Sequence, residues 1–422
     1  MKVGIVHASD RGGGAERSVI SLHRGLKKLG HESILYVGRR ETDEPGVVEI
    51  PYVRGIPGGR RVARTIERWT GWQDIYNPSF RRLKEVFPKD LDLIHFNSLW
   101  GSNGFADIGA LPGLTAEIPA VITMRENWLL TGHCACSLDC QRWKEGCGNC
   151  PDLSRAPSIT RDGSSANFRR KRRAVQGANI EIVAISDWLK GRGMESPILE
   201  GKSIHRIYNG IDLETFSLCV PNARLEIRKD LGIPPDRVVV LLAGQTVEGF
   251  REGIATHHAV AGLNGAEQCG LHALAVGHSA ERVAEMLQIP ATTVPFAKQP
   301  AEMARLFQAA DLTLVTSEYE AFGRIAAESQ ACGIPVVSFD TGGLPEVVAE
   351  GVGGLLVPRG DAGGLSRAID RLAEDQQLRS TLGTGGREFV REHFDQRRIA
   401  SQYAALYQNV QHAFRGDKTM SN

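Results

Sequence analysis

The sequence holds no apolar run near the length of a membrane span and no excess of either charge. Its 50 Lys and Arg stand against 49 Asp and Glu, for a formal net charge of +1. The first absence excludes a bundle of spanning helices. The second removes any global electrostatic case for nucleic acid as a partner. Also missing is the G-x-G-x-x-G spacing of a dinucleotide-binding turn. The first strand-like run, Val3 to Ala8, leads instead into Ser9-Asp10-Arg11-Gly12-Gly13-Gly14, a glycine turn ahead of a helix. After the next run, Ser33 to Val37, Gly38-Arg39-Arg40 occupies the place where an NAD-binding fold carries an acid. That counts against NAD and leaves only a phosphorylated dinucleotide open. The opening MKVGIVHAS is too short an apolar run for a signal peptide, so a cytosolic protein is expected.

What is present is a chain of 422 residues, enough for two or three domains with cores of their own. Short β-branched runs alternate with helical patterns, which predicts α/β architecture with parallel strands. The densest information lies in residues 312–357. Leu312 to Val315 reads as a buried strand. Gly323 to Cys332 has apolar residues at helical spacing and stops at Gly333, with Pro335 beyond, and Pro335 to Phe339 is the next strand. The backbone N–H groups of Phe322, Gly323 and Arg324 would open that helix, and a helix N-terminus attracts phosphate. Glu320 precedes this anion site. Glu328 follows Gly323 by five residues, about 7.5 Å along the axis at roughly 1.5 Å per residue. An acceptor on each side of a diphosphate matches the shape of a nucleotide-sugar.

These residues carry a resemblance. Glu320-x7-Glu328, Ala331-Cys332-Gly333-Ile334-Pro335-Val336-Val337 and Thr341-Gly342-Gly343-Leu344-Pro345-Glu346 resemble the donor-site signature of family-4 retaining glycosyltransferases. The resemblance implies the GT-B fold, two Rossmann-like α/β domains facing each other across a cleft. It implies residues 1–212 as acceptor domain, 213–390 as donor domain, and 391–422 as helices crossing back to the first. It implies a nucleoside diphosphate sugar donor, UDP- or GDP-linked, and no metal in catalysis. Glu320 would hold the sugar hydroxyls, Phe322, Gly323, Arg324 and Ile325 the phosphates, and Glu328 the ribose. Gly13 and Gly14, in Gly13-Gly14-Ala15-Glu16, would lie near the donor phosphate. The family places a lysine after the first strand of the second domain to neutralise the leaving diphosphate. Here that position falls on Glu252, leaving Arg251 as the local cation. The strand ending Thr123-Met124-Arg125-Glu126 departs from the Thr-x-His-Asp that the family often carries. Arg125 and His95, at the ends of two apolar runs, join Glu320 and Arg251 as candidate catalytic residues, although a buried, satisfied histidine fits position 95 equally well.

Two further stretches stand outside that core. Arg60, Arg61, Arg64 and Arg68 precede Trp69 and Trp72, and residues 169–173 read Arg-Arg-Lys-Arg-Arg. Such basic segments are either solvated helix faces or contacts to anionic membrane or a lipid-phosphate acceptor. Five of the eight cysteines fall within residues 132–152. Clustered thiols in a reducing compartment point to structural zinc, with Cys134, Cys140, Cys147 and Cys150 as ligands and Cys136 or His133 as alternates; reduced uncomplexed thiols and disulfides are the alternatives to zinc. A similar cysteine insertion occurs in polysaccharide-type members of the family, and that resemblance implies a glycan, lipid-linked or small-molecule acceptor, with the enzyme cytoplasmic or peripheral on the membrane. Two rival functions remain at this point. One is a non-catalytic nucleotide-sugar-binding subunit, motivated by Glu252; the other is a dinucleotide oxidoreductase.

Overall fold

The computed structural model of the protein describes residues 1–50, 59–73, 77–97, 99, 105–220, 222–243, 250–267, 270–295, 297 and 299–420. The chain divides into two compact units, Met1–Gly210 with Arg397–Asn422, and Ile211–Gln396. Each is built on one parallel sheet with helices packed on it.

In the first unit the strands are β1 (Lys2–Ser9), β2 (Glu32–Arg39), β3 (Val47–Glu49), β4 (Leu93–Asn97), β5 (Ala120–Met124), β6 (Ile180–Ala184) and β7 (Ile204–Arg206), in the spatial order β3-β2-β1-β4-β5-β6-β7. β4 and β5 are buried along their whole length, as expected of parallel strands covered on both faces. Val3, Ile5, Leu93, Val121 and Val183 point to a face packed by Val19, Leu22 and Leu26 of the helix Gly14–Lys28. The same face receives Ile399, Ala400, Tyr403 and Tyr407 of the helix Gln396–Met420. Burial of each such aliphatic side chain contributes about 1.5–3 kcal/mol. The return of the chain begins at Arg397 rather than near 391, because Phe394 still packs in the second unit, edge-on to Phe322 at 5.3 Å between ring centres.

The second unit carries β8 (Val238–Ala243), β9 (Leu271–Val276), β10 (Ala291–Val294), β11 (Leu312–Val315), β12 (Val336–Asp340) and β13 (Gly354–Pro358), in the order β10-β9-β8-β11-β12-β13. Its core joins Val240, Leu242, Ala273, Leu312, Leu314, Val337 and Phe339 to Leu263 of one helix and Leu365, Ile369 and Leu372 of another. Both orders are those of Rossmann-like, doubly wound sheets, with strand succession reversing beside β1 in one unit and beside β8 in the other. Among the described residues no helix is long and apolar enough to cross a membrane.

Candidate functional site

In an open parallel sheet, ligands bind beyond the carboxyl ends of the strands where the strand order reverses. For the second unit that place lies between β8 and β11. The chain leaves β11 at Thr316, whose hydroxyl donates to the Ala255 carbonyl at 2.6 Å and so ties the loop to the helix Phe250–Asn264. Arg251 lies one helical turn before Ala255, about 6 Å along the axis. Its side chain, that of Glu252 and the stretch 244–249 lie outside the described residues. Glu318 follows, with Oε1 at 3.2 Å from His258 Nε2 and Oε2 at 3.5 Å from Arg359 Nε. Glu320 is half-buried in the same loop.

A second loop is laid directly on this one. The Gly343 N–H donates to the Glu320 carbonyl at 2.8 Å, and the Thr341 hydroxyl to the Glu318 carbonyl at 3.2 Å. Gly342 has φ +61°, and a Cβ placed on it would stand 2.0 Å from the Glu320 carbonyl oxygen. The two glycines are therefore what allows the backbone of 341–343 to clamp the backbone of 320–322.

The helix Arg324–Ala331 starts from Gly323, which is left-handed at φ +98° and has no side chain to cap the first turn. The phosphate-attracting end expected there thus presents backbone rather than a side-chain cap. Phe322 is 3% exposed, its ring turned into the interior, so its backbone is what faces the loop. Glu328 is fully buried, and the Arg324 Nε donates to its Oε1 at 2.6 Å across one helical turn. Glu320, Phe322, Gly323, Arg324, Ile325 and Glu328 are thus gathered on one loop and helix end.

The first unit has a corresponding polar group beyond β1, β4 and β5. His7 Nδ1 donates to the Asn97 carbonyl at 2.9 Å, and His7 Nε2 lies 3.6 Å from Glu16 Oε1 in the first turn of the helix that follows Gly13 and Gly14. Burial raises the Glu16 carboxyl, but the neighbouring His7 and the backbone N–H groups at the helix start together outweigh it, and the group sits below its ordinary value. Arg125 is 8% exposed, with Nε and Nη2 on Asn97 Oδ1 at 3.2 and 2.8 Å and Nη1 on Asn209 Oδ1 at 2.5 Å. His7 Nε2 and Asn97 Nδ2 are buried with no hydrogen-bond partner. Groups in that condition are costly unless something satisfies them, and a ligand hydroxyl would.

His95 is in a different position from the catalytic one considered for it. It is 0% exposed, with its Nδ1 at 2.6 Å from the Tyr407 hydroxyl and its Nε2 at 2.8 Å from Thr123 Oγ1, both within hydrogen-bond distance. Burial drives the imidazole well below its ordinary value, helped by Arg125 and His7. A neutral ring with both nitrogens engaged holds the C-terminal helix to the sheet. The sequence reading passed over His7, Asn97, Asn209, Glu318 and His258. The signal for His7 and Asn97 was available, since both are polar residues ending buried apolar strands.

The cysteine segment forms a third cluster. Cys134, Cys140, Cys147, Cys150 and His133 line one cavity, while no disulfide joins the described cysteines. Burial, with a smaller contribution from neighbouring cysteines, pushes the Cys134 thiol up to about 12 and Cys147 to about 11. The Gly132 N–H donates to Cys147 Sγ at 3.2 Å, and His133 Nε2 lies 3.1 Å from Cys150 Sγ. Residues 146–149 all have φ between +47° and +126°. Among the described residues, however, no three His, Cys, Asp or Glu side chains converge in metal-holding geometry. The soft sulfur donor set suits zinc, whereas the present side-chain positions do not form a closed site.

Comparison with known proteins adds two family matches. The model of Glycosyltransferase Family 4 matches residues 12–215, and that of Glycosyl transferases group 1 matches residues 224–389. The D-inositol 3-phosphate glycosyltransferase of Saccharomonospora viridis is 30% identical over 228 residues, 51% of this chain and 52% of that protein. The N-acetyl-alpha-D-glucosaminyl L-malate synthase of Bacillus anthracis is 38% identical over 108 residues, 26% of this chain and 28% of that protein. The match thus spans about half of the first relative's length and less of the second's. Among solved structures, sucrose-phosphate synthase from Thermosynechococcus elongatus superposes with TM-score 0.71 at 20% identity, covering 98% of this chain and 99% of that one. HepE of Anabaena in complex with UDP-glucose superposes with TM-score 0.67 at 19% identity, covering 97% and 100%. At such identity these two superpositions establish the fold alone, which is GT-B.

Proposed function

The chain belongs to glycosyltransferase family 4, and on that premise we propose that it moves a sugar from a nucleoside diphosphate to an acceptor hydroxyl with retention of configuration. The observation that carries this reading is the clamp of 341–343 on 320–322, which sets Glu320 beside the uncapped start of the helix Arg324–Ala331. In the transfer, the acceptor oxygen bonds to the anomeric carbon as the bond to the diphosphate oxygen breaks. The acceptor proton passes to the leaving phosphate on the same face. The work of the protein is then to position the partners and to stabilise the departing charge. Glu320 orients the sugar, the backbone of 322–325 and the Arg251 guanidinium receive the diphosphate, and Glu328 takes the ribose while holding Arg324. His7, Asn97 and Arg125 belong with the acceptor, where their polar groups meet its hydroxyls, and Gly13 and Gly14 let the backbone come close to the ligand.

The donor is UDP- or GDP-linked, a reading supported by the structural relative crystallised with UDP-glucose. The acceptor is a glycan, lipid-linked or small-molecule hydroxyl in the synthesis of a polysaccharide or related glycoside, reached from the cytoplasmic side with peripheral contact to membrane. Zinc on Cys134, Cys140, Cys147 and Cys150 would hold the segment 132–152 in shape once those side chains close on it, and would take no part in transfer. The test is thermal stabilisation by UDP, GDP and ADP and their sugars, which follows from mass action. One nucleotide is expected to raise the melting temperature of the protein and to lose that effect in Glu328→Ala. A folded protein that responds to none of them sinks the reading.

A further inference from the structure

Residues 316–323 run from the end of β11 to the start of the helix Arg324–Ala331 without a helix or strand of their own. Backbone carbonyls fix the middle of the segment, that of Glu318 taken by the Thr341 hydroxyl and that of Glu320 by the Gly343 N–H. A stretch held at two carbonyls can still turn about the line that joins them. Whatever stops the turn also sets the direction in which Glu320 stands.

Tyr319, between them, is 5% exposed, but the hydrophobic attraction that buries a ring has no direction of its own. The Glu318 carboxylate does have direction, because it reaches out of its loop to two other elements. Its Oε1 lies 3.2 Å from His258 Nε2 and its Oε2 3.5 Å from Arg359 Nε, with 16% of the side chain exposed. The first contact is one of proximity and charge, without the alignment of a hydrogen bond. His258 is carried by the helix Phe250–Asn264, and its ring stands edge-on to Phe339 of β12 at 5.3 Å and 82°. Arg359 directly follows β13. One carboxylate thus joins the loop after β11 to the helix after β8 and to the turn after β13.

We infer that Glu318 is a positioning residue for the donor sugar. On the reading proposed above, that Glu320 holds the sugar hydroxyls, Glu318 sets the direction of Glu320 two positions on and does not itself touch the sugar. The nucleotide half of the donor lies outside its influence, since the helix Arg324–Ala331 begins beyond Gly323 and Glu328 is held there by Arg324. Loss of a carboxylate that only strengthened the fold would act through the folded fraction, and so would weaken nucleotide and nucleotide-sugar equally.

The experiment compares the parent, Glu318→Ala and Glu318→Gln as full chains. Each is titrated calorimetrically with UDP, UDP-glucose, GDP, GDP-mannose, ADP and ADP-glucose, and hydrogen exchange is followed at the amides of residues 319–322. For the pair that the parent binds, Glu318→Ala should bind the sugar nucleotide about tenfold more weakly, as for a loop correctly placed about one-tenth of the time. Its affinity for the bare nucleotide should stay within about twofold. Glu318→Gln keeps the shape without the charge and should fall between the two, which also covers a Glu318→Ala chain that does not fold. Exchange at 319–322 should speed up in both variants. The proposal is overturned if sugar nucleotide and bare nucleotide lose affinity by the same factor, if neither loses any, or if exchange at 319–322 is unchanged. A parent that binds none of the nucleotides refutes the donor reading itself, and takes the role of Glu318 with it.

Discussion

Gly342→Ala isolates the feature on which the candidate site depends. The added methyl would stand 2.0 Å from the Glu320 carbonyl oxygen and 2.9 Å from the carbonyl carbon, where ordinary contact begins at 3.4 Å. Neither atom is the end of a flexible side chain, so one backbone segment must move by more than an ångström. Two costs add. Holding alanine at φ +61° costs about 1–2 kcal/mol, and forcing the two segments apart costs about 1–3 kcal/mol on the scale of overpacked interiors. The sum, about 2–5 kcal/mol, corresponds to a fall in melting temperature of roughly 5–15 °C for a unit of this size. Gly351→Ala separates the two costs. Gly351 has φ +74° and nothing within 4 Å of its added methyl, so it should show the first cost and not the second. The assay is calorimetry of both variants with and without UDP and GDP. Gly342→Ala should melt several degrees below Gly351→Ala and lose its nucleotide response, since Glu320 is displaced. Equal melting temperatures with full nucleotide binding in both would refute the clamp.

Glu328→Ala removes the buried carboxylate paired with Arg324 and should cost about 3–5 kcal/mol. The double variant Arg324→Ala/Glu328→Ala should recover part of that in urea unfolding, and no recovery would count against the pair as a local unit. Since burial depresses the His95 imidazole below its ordinary 6.5, the unfolded chain binds a proton that the folded one refuses. Stability is then full above about pH 6.5 and declines as the pH falls below it. His23 and His133, also lowered by burial, act in the same sense, and an unfolding free energy flat on the acid side of 6.5 would contradict the assignment. If zinc occupies the cysteine cavity, the purified chain contains about one zinc by mass spectrometry, and a chelator lowers its melting temperature. A metal-free chain indifferent to chelator would dismiss the zinc.

The α/β alternation was legible because buried parallel strands are continuous apolar runs, as in Val238–Ala243 and Leu312–Val315. The loop and helix start around Glu320 were legible as well, since the glycines that mark them are dictated by backbone contacts between loops that lie close in sequence. What sequence could not supply were contacts made at long range. Nothing local marks His95 as the partner of Tyr407, 312 residues away. Nothing in the run 169–173 shows that Lys171 is buried under Trp128 while Arg169 faces solvent. The late return of the chain was equally hidden, because it turns on Phe394 packing against Phe322.

The C-terminal helix has a consequence for the order in which the protein takes shape. The core of the first unit lacks Ile399, Ala400, Tyr403 and Tyr407 until those residues have been added, whereas the core cluster of the second unit is complete by Leu382. During synthesis the unit made first is therefore finished last. Its half-closed sheet must wait on the ribosome while the second unit, contiguous from Ile211 to Gln396, emerges and folds. Deleting the helix Gln396–Met420 would strike the unit that begins at Met1, leaving His95 and the apolar face of β1, β4 and β5 open to aggregation or proteolysis.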